Sequence, residues 1–282
     1  MTTKSFKDVA QLHDDHLMIV DSLNLAFRYK HARSTDFVED YIKTVKSLQQ
    51  SYKCGKVIIA CDQGSSSYRK ALLPSYKENR KEKAAEQSPE EEFEFKMFLE
   101  EFERTLVAIK ALFPQLRFPK VEADDIAAYV VKIARALGIK KIWLISSDRD
   151  WDLLVDVDTS RFSYVTRKET TFDNWETHYD CQPEDYISMK CLAGDMGDNV
   201  PGVTGVGPKR SAELIRQYGT AFDIVAALPI ASKYKYIQEL NKCGDTILLN
   251  YQLMDLVTYC EEAIGVDNCK EIDKVLKDYL QG

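Results

Sequence analysis

The sequence predicts an α/β protein centred on a parallel sheet, with a long insertion between sheet strands and a helical region after about residue 180. Three observations carry this. Apolar runs at 17–21 (LMIVD), 57–62 (VIIACD) and 141–148 (KIWLISSD) each end in a carboxylate, as buried parallel strands end at a working face. Stretches with helical periodicity separate them. Beyond residue 180 helical patterns follow one another around Gly194, Gly197, Gly202, Gly205 and Gly207.

The elements follow in order. Between the first two runs, Phe37, Tyr41, Val45 and Leu48 recur at helical spacing and Gly55 precedes the next strand, making a strand, helix, strand unit. Residues 64–90 are polar, carry Pro74 and Pro89 and lack core periodicity, whereas 93–112 reads as a helix ended by Pro114. An excursion of this length is uncommon unless it serves a function, so an arch or lid is expected at about 68–112. A helix over 124–137 stops at Gly138 before the third run, and RFSYVT at 161–166 reads as another strand. The expected domains are 1–180 and 181–282. Pro208 suits the first position of a helix, and two or three amphipathic helices follow Ala221, including Tyr236, Leu240 and the Ile247, Leu248, Leu249 cluster.

With 282 residues, 45% hydrophobic and 29% charged, the chain has the composition of a globular protein of one or two domains. Its seven cysteines are scattered, odd in number and without a C-x-x-C pair, so reduced thiols in a cytosol are expected. No stretch approaches 18 apolar residues, and the opening segment has acidic residues where a secretory signal needs an apolar centre; neither membrane insertion nor export is expected.

A formal charge of −7 argues at first against a polyanionic partner. Its distribution matters more. Between 69 and 83, six cations (Arg69, Lys70, Lys77, Arg80, Lys81, Lys83) face only Glu78 and Glu82, while eight glutamates follow between 86 and 103. A basic patch therefore adjoins an acidic one.

The densest chemical signal is acidic. In VEADD, a helix start puts Glu122 and Asp125 on one face and turns Asp124 away, although an Asp-rich first turn is also ordinary capping. SSDRD supplies Asp148 and Asp150 at a strand end, and GDMGDN supplies Asp195 and Asp198 one helical turn apart. With Asp21 and Asp62, nine carboxylates sit at the ends of elements. Such a cluster needs counterions, and oxygen-only donors select hard ions such as Mg²⁺ or Mn²⁺. The histidines, His13, His16, His31 and His178, form no ligand spacing with cysteines and are read as structural or exposed. Two hard ions about 4 Å apart suit phosphodiester hydrolysis, where a deprotonated water attacks and a 3′ oxygen leaves. Setting the nine carboxylates aside leaves a formal balance of +2, so the remaining surface need not repel DNA.

In SYRKALLPSYKENRKEK, Lys77 and Arg80 lie three apart and Tyr76 and Arg80 four apart, suiting phosphate contacts and base stacking, or a solvated helix with one packed tyrosine. Asn24 and Arg28, after the first strand, are either further site residues or a loop hydrogen bond and a surface charge. GVTGVGPKR at 202–210 offers backbone amides ahead of a helix, reinforced by Lys209 and Arg210. It lacks the order of a nucleotide-binding P-loop and fits a helix-hairpin-helix module on duplex backbone, or a simple tight turn.

LMIVDSLNLAFR, VIIACD, SYKENR, VEADDIAAYV, SSDRDWDLL and LAGDMGDNVPGVTGVGPKR, in this order over about residues 16–260, resemble the 5′ nuclease or flap endonuclease family, above all its free-standing bacteriophage members. The resemblance implies a parallel-sheet nuclease domain with two divalent-metal sites, a helical arch for a 5′ single strand and a helix-hairpin-helix domain for the duplex. It implies that Asp21, Asp62, Glu122, Asp124 and Asp125 surround or support the first ion, that Asp148 and Asp150 bridge toward the second, and that Asp195 and Asp198 form the distal group. Lys77 and Arg80 resemble catalytic arch cations and Tyr76 a stacking partner. Arg28, Arg69, Lys190, Lys209 and Arg210 are expected DNA contacts, and the neighbourhood of Val203 and Val206 is expected to bind K⁺ through carbonyls. The expected enzyme is a monomeric, divalent-metal-dependent 5′-3′ exodeoxyribonuclease and flap endonuclease acting on branched or flapped duplex DNA, in the host bacterial cytoplasm if phage-encoded. Two departures stand out: Ser147 replaces the threonine frequent before the D-x-D pair, and the sequence stops at Gly282 without a polymerase domain. A ribonuclease of related architecture, a DNA-binding scaffold with decayed catalysis and a small-phosphate hydrolase are the alternatives; the arch and glycine loop favour the flap nuclease.

Overall fold

A computed structural model describes residues 11–282, so the first ten positions of the opening segment lie outside the described residues. The chain runs β1 (His13–Asp21), α1 (Ser22–His31), α2 (Val38–Ser51), β2 (Cys54–Cys61), α3 (Ser67–Leu72), α4 (Glu78–Ala85), α5 (Pro89–Lys110), β3 (Gln115–Arg117), α6 (Ala123–Ala136), β4 (Lys141–Ile145), β5 (Thr159–Ser163) and β6 (Lys168–Thr170). Then come α7 (Tyr186–Ala193), α8 (Pro208–Tyr218), α9 (Ala221–Ala226), α10 (Lys235–Leu240), α11 (Gly244–Met254), α12 (Leu256–Ile264) and α13 (Val266–Leu280).

The strands form one sheet in the order β3-β2-β1-β4-β5-β6, parallel except for β6. Alternation along β1 sends Leu17 and Ile19 into one core and Met18 and Val20 into the other. Helix α6 covers the first face, through Ile126, Ala127 and Val130, and α1, α2 and α5 cover the second. Strand order reverses between β1 and β4, which opens a crevice at their carboxyl ends. Asp21 sits at that end of β1, where its side chain caps α1 by accepting the Asn24 N–H.

The insertion is more ordered than its polarity suggests. Residues expected to lack core periodicity form α3 and α4, and α5 opens at Pro89 on a capping box made by Ser88 and Glu91. Residues 81–94 are all exposed, so both sides of this helical hairpin meet solvent. The sequence carries no apolar stripe there because the arch has no core to face.

The helical region has its own core, including Tyr186, Leu192, Val203, Val206, Leu214, Ile224, Leu240 and Ile247. Its glycine loop folds back on α7 so closely that a Cβ on Gly202 would lie 2.0 Å from the Ala193 carbonyl oxygen. The Asn250 amide ties the two together, donating to Cys191 O at 2.9 Å and Pro201 O at 2.7 Å. Five helices follow Ala221, not two or three. The last two belong to the first core: Leu256, Cys260, Ile272 and Leu276 pack with Ile126 and Val130 of α6, and Tyr129 donates to Asp273 at 2.9 Å. No helix among the described residues is long and apolar enough to cross a membrane.

Candidate active site

The crevice at the strand ends gathers carboxylates from distant parts of the chain. Asp21 accepts a 2.7 Å hydrogen bond from Ser146 Oγ at the end of β4, and Ser146 Oγ also accepts the Asp148 N–H at 3.1 Å. Asp62, just beyond β2, accepts the Ala123 N–H at 2.9 Å, which fixes the start of α6 against the neighbouring strand end. On that helix Asp124 accepts from the Trp151 indole at 2.6 Å. Asp148 caps the short 3₁₀ turn that carries Asp150 and Trp151.

A second group comes from the helical region and the base of the arch. Asp195 and Asp198 lie in a tight loop where Asp195 accepts the N–H groups of Gly197 and Asp198. Lys190 of α7 bridges Asp150 and Asp195. Asp198 is held by the arch: Tyr76 donates to it at 2.9 Å, Arg80 pairs with it at 2.5 Å, and Lys77 Nζ stands 3.5 Å away. Lys77 also reaches Glu122 at 2.8 Å. Its backbone is left-handed (φ 56°), an uncommon state for a residue with a side chain, and its N–H donates to Asp198 O. Asn79 and Asn199 complete the clamp, donating to Met196 O and Ser75 O.

The electrostatics divide this cluster. Burial, then the charge of Asp62, holds the Asp21 carboxyl well above its ordinary value. Burial and Asp148 do the same to Asp124, and burial raises Asp62. Asp148 opens onto the groove, yet the protein around it and Asp150 push it to about 6. Asp198 goes the other way: burial would raise it, but Lys77 and Arg80 more than offset that and bring it down. Thus the cations around the distal carboxylate outweigh its burial, whereas at Asp21, Asp62, Asp124 and Asp148 burial and neighbouring carboxylates outweigh the cations within reach and disfavour the charged form.

Buried, mutually repelling oxygen donors fit hard divalent ions. The fit is incomplete in this arrangement. Among the described residues no three of these carboxylates bring ligand atoms within 4.8 Å of one another. The void bounded by Asp124, Asp150, Asp195, Asp198, Arg69 and Tyr76 holds only about 10 Å³, close to one water. Lys77 and Lys190 fill the space between acids.

Several residues stand elsewhere than the sequence suggested. Asp125 and Arg69, expected as ligand and DNA contact, are buried against each other in a double hydrogen bond of 2.7 Å per arm, and Arg69 also reaches Glu122 at 3.3 Å. Both Asp125 oxygens are committed, and the guanidinium is shut away from any phosphate. Glu122 is equally engaged, accepting from Ser66 N, Arg69, Tyr76 and Lys77. Tyr76 is 3% exposed, its ring packed in the helical core and its hydroxyl on Glu122 and Asp198, so no face is free to stack on a base. Lys190 is buried on two carboxylates rather than displayed on the helix surface. Arg28 is engaged within the α/β domain, its guanidinium over the Tyr164 ring at 4.3 Å and donating to Thr44 at 3.3 Å. Asn24 satisfies both of its expected readings, accepting the Ser147 N–H at 2.8 Å in a loop hydrogen bond and lining the groove beside Asp148 and Asp150.

Lys209 is exposed and lines an open groove that runs from Asp148 and Asp150 past Lys190 to the start of α8. Arg210 is exposed as well, donating to Gly205 O and lying over the Tyr236 ring at 4.6 Å. Val203 and Val206 are buried, and the Val206 N–H already donates to Val203 O. Sequence reasoning missed Ser146, Trp151 and Asn79 as positioning residues. Only the indole of Trp151, inside SSDRDWDLL, carried a signal: a buried N–H needs an acceptor.

Two family models match the chain: the 5′-3′ exonuclease N-terminal resolvase-like domain over residues 16–181 and the 5′-3′ exonuclease C-terminal SAM fold over residues 181–275. A flap endonuclease of Escherichia phage T5 is 42% identical over 268 residues, covering 94% of this chain and 92% of its own. A crystal structure of the bacteriophage T5 flap endonuclease, a pseudo-enzyme–product complex with DNA and metal ions, superposes with a TM-score of 0.91 at 40% identity, covering 95% of this chain and 100% of that one. A T5 5′-exonuclease structure with bound zinc ions gives the same TM-score and identity, covering 94% and 99%.

Proposed function

The chain belongs to the 5′-3′ exonuclease family, and from that premise we propose how its residues divide the work of a 5′ nuclease. It is a divalent-metal-dependent 5′-3′ exodeoxyribonuclease and flap endonuclease, acting as a monomer on flapped or 5′-ended duplex DNA. In our reading the ions are Mg²⁺ or Mn²⁺, two in number, and the setting is the cytoplasm of a bacterial host.

One observation carries the assignment of residues: Asp21, Asp62, Asp124 and Asp148, from four separate elements, converge at the strand reversal, where burial and mutual proximity disfavour their charged forms. These would hold the first ion, and Asp148 with Asp150, Asp195 and Asp198 would face the second. Glu122 and Asp125 support the site as anchors for Lys77 and Arg69. Divalent ions, when bound, lower the pKa of a water and neutralise charge on the transferred phosphate.

The residues of the chain do the rest. Lys77 and Lys190 hold the carboxylates together before ions arrive. Lys77 and Arg80, held at the base of the arch on Glu122 and Asp198, would supply positive charge to the scissile phosphate and its pentacoordinate centre. Ser146 and Trp151 keep Asp21 and Asp124 aimed into the crevice. Lys209, with the loop amides ahead of α8, takes the duplex backbone. A monovalent ion at residues 203–206 would compete with Arg210 for the Gly205 carbonyl.

The products carry a 5′ phosphate and a 3′ hydroxyl. A Mg²⁺ and Mn²⁺ titration on DNA flaps labelled at the 5′ end and internally, with product ends mapped, tests this. Metal-dependent release of the intact flap with those termini is expected; matched cleavage of RNA flaps, or cleavage without divalent metal, would refute it.

A further inference from the structure

At the opposite end of β1 from Asp21, His13, Asp15 and His16 each bring one ligand atom within 4.8 Å of the others. A regular strand would not do this, because residues 13 and 15 face one side and residue 16 the other. The register explains the meeting: His13 pairs with Cys54 but Leu17 with Lys56, so β1 spends four steps where β2 spends two. The extra residues form a bulge that re-aims the side chains. Gly55 makes room for it, since a Cβ there would lie 2.6 Å from the His13 carbonyl oxygen.

The donors are nearly uncommitted. His16 Nε2 stands 3.8 Å from Asp15 Oδ1, and His16 Nδ1 is shut from solvent with no hydrogen-bond partner among the described residues. The His13 and His16 rings lie 4.6 Å apart, and His13 is exposed. Two cations stand nearby: Lys140 Nζ is 2.9 Å from Asp15 Oδ2, leaving Oδ1 toward His16, and Lys141 also acts on the His16 ring.

We propose that His13, Asp15 and His16 form a second, separate metal site that takes a first-row transition ion of the Zn²⁺ class, with a position open to solvent on the His13 side. Two imidazoles and one carboxylate select such ions over Mg²⁺, which prefers oxygen. The site is a clip on the bulge where the chain enters the sheet, and it stabilises the fold without touching the reaction.

The chain has four histidines, so the test is direct. Full-length protein with ¹⁵N-labelled histidine is titrated with ZnCl₂ in excess Mg²⁺, and His31 on α1 serves as the internal reference. Ring resonances of His13 and His16 are expected to shift together and saturate at one equivalent while His31 stays still. His13→Ala and Asp15→Asn are expected to abolish the His16 shift, leave the rest of the spectrum folded and leave the Mg²⁺-supported cleavage rate unchanged. Lys140→Met, which removes the cation on Asp15, is expected to tighten binding. Failure of His13 and His16 to respond, a parallel shift of His31, or a His16 response that survives both substitutions would overturn the site.

Discussion

At the scale of single residues, charge balance around each carboxylate decides what it can do. Burial, then the charge of Asp150, opposes ionisation of Asp148 in the metal-free state, so Asp148→Asn should stabilise that state by about 1 kcal/mol, roughly 2–4 °C in Tm. The sign follows from the raised pKa. The folded chain holds a proton on Asp148 up to about 6, against an ordinary 3.8, so the charge costs stability fully above about 6 and not at all below 3.8. The gain from Asp148→Asn should therefore be largest at neutral pH and fade as pH falls toward 4; thermal melts across that window check it, and a pH-independent gain would contradict it. Protons also compete with ions there, so apparent metal affinity should rise as pH climbs through 6. Arg69→Met should cost about 3–5 kcal/mol in urea unfolding by leaving Asp125 buried and unpaired, and adding Asp125→Leu should recover most of the loss. The carboxylates of the crevice were legible because each followed an apolar run or opened a helix. The burial of Arg69 was not: a cation in a basic stretch reads as solvated, and only the folded chain brings it to Asp125.

At the scale of elements, the arch is both the least supported part and the one that carries cations to the site. Its hairpin has no buried residue between 81 and 94, so its order depends on local devices. Ser88→Ala removes half of the capping box and should loosen the start of α5 by about 1 kcal/mol. Limited trypsin digestion is expected to cut first near Arg80, Lys81 and Lys83, faster in Ser88→Ala, and to be slowed by a DNA flap; primary cuts elsewhere, or no protection by the flap, would contradict the arch's role. The three strands ending in aspartate and the helix opening at Pro208 were readable from periodicity and punctuation. The arch helices were not, because a helix exposed on all sides has no apolar stripe. Strands β3 and β6, three residues each, are too short to show an alternation.

At the scale of the whole molecule, a single reversal of strand order turns distant aspartates into one crevice, and the last two helices brace it from behind. Their docking was illegible in sequence, since an amphipathic helix does not name its partner; the sequence placed them with 181–282, whereas they cover α6. Ile272→Ala, at a fully buried position on α13, should accordingly destabilise the sheet core by about 3 kcal/mol in urea unfolding. In the proposed division of roles the crevice carboxylates hold the ions that drive hydrolysis, while DNA is gripped elsewhere. Single-turnover cleavage and equilibrium flap binding, measured side by side at saturating Mg²⁺ for the unaltered chain, Asp148→Asn and Asp195→Asn, test it most directly. Cleavage should fall by at least about a hundredfold while flap affinity stays nearly constant; equal losses in both would contradict the account.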